Sequence, residues 1–124
     1  MKLTSLPSSQ DKTLYLASMV ASYLETALWV QFDTEDNVSV EDIALESKMQ
    51  AIKDCGDFLN LLKHDVRNIE AHQMGHDFYL TRTHQGAGIW DRGHGQFGDH
   101  LTMLSHKFSE VTPIIGDDGK VYFE

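Results

Sequence analysis

Along the first quarter of the chain apolar residues return every third or fourth position: Leu14, Ala17, Ala21, Leu24 and Leu28. That spacing places them on one face of a helix. Ser8-Ser9-Gln10-Asp11 supplies a capping serine and an acid for the first turn, so a helix is predicted from about 10 to 32. Tyr15, Met19, Tyr23 and Trp29 widen its apolar surface, which predicts packing against two neighbours. An acidic loop, Asp33-Thr34-Glu35-Asp36-Asn37, follows, and Ser39-Val40-Glu41-Asp42 has the form of a capping box. Met49, Ile52, Cys55, Leu59, Leu62, Val66 and Ile69 then mark a longer amphipathic helix, weakened locally at Gly56.

The pattern changes after Gly75. Phe78-Tyr79-Leu80 and Ile89-Trp90 are strand formers, and Thr83-His84-Gln85-Gly86-Ala87-Gly88 between them reads as a hairpin loop. Leu101, Leu104, Lys107 and Phe108 predict a helix over about 96–109. Residues 111–115 and 120–123 flank Gly116-Asp117-Asp118-Gly119, a strong hairpin signal, with Pro113 confining its strand to an edge or to the residues after the proline. The predicted order is α-α-β-β-α-β-β. It describes an α+β fold, with two or three helices packed on a small antiparallel sheet of three to four strands. The expected organisation is one domain over 1–124. Its first half (about 8–73) is acidic and helical, and its second half (about 75–124) is Gly/His-rich α/β.

Apolar residues are 41% of the chain and charged residues 23%, a globular composition. The net charge is −9, from 19 acids against 10 bases. That balance opposes phosphate attraction, so no direct nucleic-acid binding is expected, and it suits a cationic partner surface. The first nine residues carry no apolar run suited to a signal peptide, and no stretch predicts a membrane helix. Cys55, the single cysteine, points to a reducing compartment.

The candidate chemistry lies in 76–93, which concentrates Gly, His, Arg and Trp. Gly86 and Gly88 would let the backbone approach a ligand and turn amides toward an anion. Arg82 and Arg92 would supply guanidinium forks, and His84, Trp90 and Asp91 would complete a ligand-binding loop. The plainer alternative is a tight hairpin, with Arg82 and Asp91 as a cross-strand ion pair and Trp90 in the core.

The same residues resemble a motif of small tailed-bacteriophage proteins, H-D-F-W-L-T-R-x-G-H-G-A-G-F-W-D. His76, Asp77, Phe78, Leu80, Thr81, Arg82, Gly86, Ala87, Gly88, Trp90 and Asp91 match it. The tail Gly116-Asp117-Asp118-Gly119-Lys120 with Tyr122 matches as well. The resemblance implies a phage accessory protein working in the host cytoplasm, and it implies no reaction. The chain departs from the motif at His84-Gln85, where the motif has Gly-His, so a mechanism relying on that histidine is in doubt.

No metal and no cofactor are expected. His72 and His76 are four apart but separated by Gly75, and His94, His100 and His106 are six apart, which is not a ligand spacing on one helix. Cys55 falls on a predicted apolar face, and no nucleophile elbow, P-loop or dinucleotide motif is present.

Three functions follow. The leading one is a non-enzymatic binder of a small anionic ligand or of a host or defence protein through the 82–92 loop. The second is a DNA mimic using the acidic 33–46 surface. The third is a small hydrolase or nuclease using His84 or His76 with Asp77 or Asp91.

Overall fold

The computed structural model describes residues 9–85 and 95–124. Helix α1 spans Ser9–Gln31, α2 Leu45–Leu61, α3 Ala71–Arg82 and α4 Gln96–Ser105. Two short strands follow, β1 Pro113–Ile115 and β2 Val121–Phe123. They form one antiparallel two-stranded sheet, with Ile114 opposite Tyr122. The described fold is therefore predominantly helical. The expected sheet of three to four strands does not form among these residues.

Phe78-Tyr79-Leu80, read above as strand formers, lie in the second half of α3. Met74, Gly75, Asp77, Phe78, Tyr79, Leu80, Thr81 and Arg82 are all buried, so the helix is enclosed almost all round. A helix enclosed on every side shows no 3.6-residue contrast, and Phe-Tyr-Leu then reads locally as strand. Gly75 does not break it. A Cβ there would overlap the Met19 carbonyl oxygen and lie 3.0 Å from the Tyr23 nitrogen, so α1 and α3 cross in backbone contact at this glycine.

Helix α2 stops at Leu61, well short of Ile69. Lys63, His64, Arg67 and Asn68 all take positive φ, between 49° and 64°, which no helix accommodates. Leu62, Val66 and Ile69 still reach the core from this connection, and their spacing imitates a helical stripe. Two acidic turns precede α2. Asp33 accepts from the Glu35 nitrogen while its own nitrogen donates to Asp36, and the Ser39 nitrogen donates to Asp42 at 2.8 Å.

The core gathers where α1, α2 and α3 meet. Phe58 stacks on Phe78 with ring centroids 4.4 Å apart, and Tyr23 meets Tyr79 edge-on at 5.2 Å. The terminal hairpin closes through Gly116–Gly119 as predicted. It docks on the start of α2, where Val121 accepts from the Ala44 nitrogen at 2.8 Å and the Phe123 nitrogen donates to Ser47 at 3.0 Å. No helix among the described residues is long and apolar enough to cross a membrane.

Candidate functional site

Arg82, the leading candidate for gripping an anion, is 2% exposed. Its guanidinium donates to Asp54 at 2.7 Å, to the Tyr23 hydroxyl at 3.0 Å and to the Ser109 carbonyl. Phe78 and Phe108 lie against it, with ring centroids 5.8 and 5.5 Å from its central carbon. Burial pulls the guanidinium pKa down, but Tyr23 and Asp54 outweigh that and hold it above the ordinary arginine value. Burial in turn raises the Tyr23 hydroxyl, with Arg82 opposing. Arg82 ties α1, α2, α3 and the chain after α4 together, and four of its N–H donors are spent doing so. Its carboxylate partner among the described residues is Asp54, on α2.

His84 is a helix cap. The Gln85 nitrogen donates to the Leu80 carbonyl and the His84 nitrogen to the Thr81 carbonyl, while His84 itself has φ 58°. This is the Schellman pattern, in which the left-handed position favours glycine. The side chain is 53% exposed, 3.6 Å from Glu110. It stacks on His106 with centroids 4.4 Å apart. Arg82 and His84 thus reach neighbouring residues, Ser109 and Glu110, but one side chain is sealed and the other is in solvent. Gly86, Gly88, Trp90, Asp91 and Arg92 lie outside the described residues. Asp77, a base candidate in the hydrolase reading, is fully buried, with Oδ1 accepting from Gln73 at 2.8 Å. Cys55 is buried, and that burial raises its thiol pKa.

Two surface features were missed from the sequence. The first is on α2. Ala51, Cys55, Phe58 and Leu59 face the core, whereas Leu45, Met49 and Ile52 are 72%, 60% and 47% exposed. Met49 and Ile52 had been placed on the buried stripe. They belong instead, with Leu45, to a second apolar stripe, at i, i+4 and i+7, on the flank beside the buried face. The signal was available, because apolar residues on this helix cover more than one face.

The second is an open groove of about 210 Å³ between α1 and α3, lined by Ser22, Glu25, Thr26, Trp29, His72 and His76. Because α3 runs through Gly75, His72 and His76 do share a face. Among the described residues, no three His, Cys, Asp or Glu side chains gather in a group that could hold a metal ion. Comparison with protein-family profiles, with curated proteins and with solved structures finds no match for this chain.

Proposed function

We propose that this chain is a non-enzymatic binding protein that docks a basic amphipathic segment of a partner protein on the outer face of α2. The observation that carries the reading is the solvent-facing Leu45–Met49–Ile52 stripe on a helix whose adjoining face already fills the core. Helices of this kind recognise helical partners through anchors at i, i+4 and i+7. The charge of the partner follows from the surroundings. Glu41 and Glu46 are exposed at the start of the stripe, Asp42 lies beside them, and the chain carries a net charge of −9. Of the two bases beside the stripe, Lys53 is paired with Asp57 at 2.6 Å and Lys48 lies within electrostatic reach of Glu41. The resemblance to tailed-phage proteins supports an infected bacterial cell as the setting, with a host or defence protein as the partner.

The test uses a designed helical peptide with leucines at i, i+4 and i+7 and lysines elsewhere, against a scrambled peptide of the same composition. Fluorescence anisotropy with the full chain should favour the ordered peptide. The variant Leu45→Ser/Met49→Ser/Ile52→Ser should weaken binding at least tenfold, since three exposed anchors of roughly 1 kcal/mol each exceed the 1.4 kcal/mol per decade of affinity. Equal binding of both peptides, insensitive to the triple variant but lost in Glu41→Gln/Glu46→Gln, would overturn docking and leave phosphate mimicry by the acidic surface in its place.

A further inference from the structure

We infer that the groove between α1 and α3 is a receptor for a single guanidinium or ammonium group, with Glu25, Trp29 and the Nε2 atom of His76 as its contacts. The groove is built from two i, i+4 pairs, Glu25 with Trp29 on α1 and His72 with His76 on α3. They are held face to face by the helix crossing at Gly75, where the backbones touch. Its position is therefore set by a backbone-to-backbone contact between the two helices.

The hydrogen-bond accounts of the wall decide the ligand's charge. The Ser22 hydroxyl donates to the His72 carbonyl at 2.6 Å. The Thr26 hydroxyl donates its one proton to the Ser22 carbonyl at 2.7 Å. Thr26 Oγ1 also lies 3.1 Å from His76 Nδ1, and with its proton already committed it can only accept there. His76 Nδ1 therefore carries the hydrogen, and in the neutral ring Nε2 is left as a lone-pair acceptor. The donors of Ser22, Thr26 and His76 are thus consumed inside the wall. What remains for a ligand is the His76 acceptor nitrogen, the His72 imidazole, the Trp29 indole and the Glu25 carboxylate, and the carboxylate is the group that favours a cation.

Trp29 supplies that face. It is 71% exposed, and its ring centroid is 6.2 Å from that of His76. An indole face beside a carboxylate attracts cations, guanidinium most of all. The volume agrees: about 210 Å³ is below the roughly 300–1,000 Å³ of pockets for drug-sized molecules, and it suits one headgroup. The site stands apart from the α2 stripe and does not depend on it.

The same headgroup could come from an arginine or lysine of a partner chain or from a free organic cation. The test separates these sources. The chain has two tryptophans, so Trp90→Phe leaves Trp29 as the single indole, and its Nε1–H resonance in ¹H–¹⁵N spectra reports on the groove. Butylguanidinium, a Gly-Arg-Gly peptide and N-acetylglutamate are titrated separately. The two cations should shift the Trp29 resonance saturably and the anion should not. Tighter binding of the peptide assigns the site to a partner's side chain, and equal binding assigns it to a free cation. Glu25→Gln should weaken either cation about fivefold and Trp29→Leu, followed by the His76 resonances, by about tenfold. Both residues are exposed, so these variants keep the fold, which circular dichroism checks. Absence of a saturable shift, a shift of equal size with the anion, or a cation response unchanged in Glu25→Gln would overturn the assignment.

Discussion

Arg82→Ala would leave the Asp54 carboxylate buried beside Tyr23 with its cation gone. Breaking a buried pair in this way costs about 3–5 kcal/mol. Urea unfolding should register a loss of that size, and Arg82→Met combined with Asp54→Leu should recover most of it, because both charges then leave together. A midpoint unchanged by Arg82→Ala would mean the network is slack. An Arg82 variant is therefore a probe of stability and says little about binding. At His84 the effect has the opposite sign. A non-glycine residue held at φ 58° costs roughly 1 kcal/mol, so His84→Gly should raise stability by about that amount. The gain would shrink if the contacts to His106 and Glu110 matter, and a net loss would show that they outweigh the cap. The sequence marked Arg82 and His84 as unusual, and they are, though for reasons of fold. Residue type shows what a side chain can do; depth decides what it does, and depth is invisible when a helix is enclosed on all sides.

Two glycines within helices separate packing from propensity. At Gly75 the atom a methyl would meet belongs to the α1 backbone, which cannot rotate aside. Gly75→Ala should destabilise by at least the 1–3 kcal/mol typical of overpacking, and it should also disturb the groove next to it. At Gly56 the nearest atom is Leu16 Cδ2 at 3.9 Å, an ordinary contact. Gly56→Ala should therefore gain up to about 1 kcal/mol from helix propensity alone. Thermal unfolding of the pair checks the sign of each, and equal shifts in the same direction would contradict this account. The elements that were legible are those with clear ends: the extent of α1, the capped acidic turn at Ser39, and the terminal hairpin around Gly116–Gly119, although Leu14, Ala17 and Ala21 of the face expected to be buried on α1 are exposed. Helix α3 was not legible, since it buries polar and apolar positions alike. The end of α2 was hidden because Leu62, Val66 and Ile69 keep a helical rhythm through a non-helical connection. The outer stripe of α2 and the α1–α3 groove were hidden for a related reason. Each depends on which of several apolar or aromatic positions the fold leaves uncovered.

The molecule as a whole stores a set of acids that must stay protonated. Burial raises the hydroxyls of Tyr15 and Tyr23, lifts Tyr79 to about 12, and raises the Cys55 thiol. In the unfolded chain these groups titrate near 10 for tyrosine and about 8.5 for cysteine. Each folded-state pKa is raised, so its contribution is complete below the unfolded value and is lost as the pH rises toward the folded one. Between these limits the unfolded state binds fewer protons than the native state, and the free energy of unfolding must fall with pH. Stability should hold up to about pH 8, decline gently as Cys55 begins to ionise in the unfolded chain, and fall steeply above about pH 10. The net charge of −9 adds self-repulsion that also grows with pH, but that part is screened by salt. Urea unfolding from pH 7 to 11 at about 0.05 and about 0.5 M NaCl separates the two contributions. A steep decline that persists at high salt, and that becomes shallower in Tyr79→Phe, identifies the buried protons as its source. Loss of the pH dependence at high salt would assign it to repulsion between surface carboxylates instead.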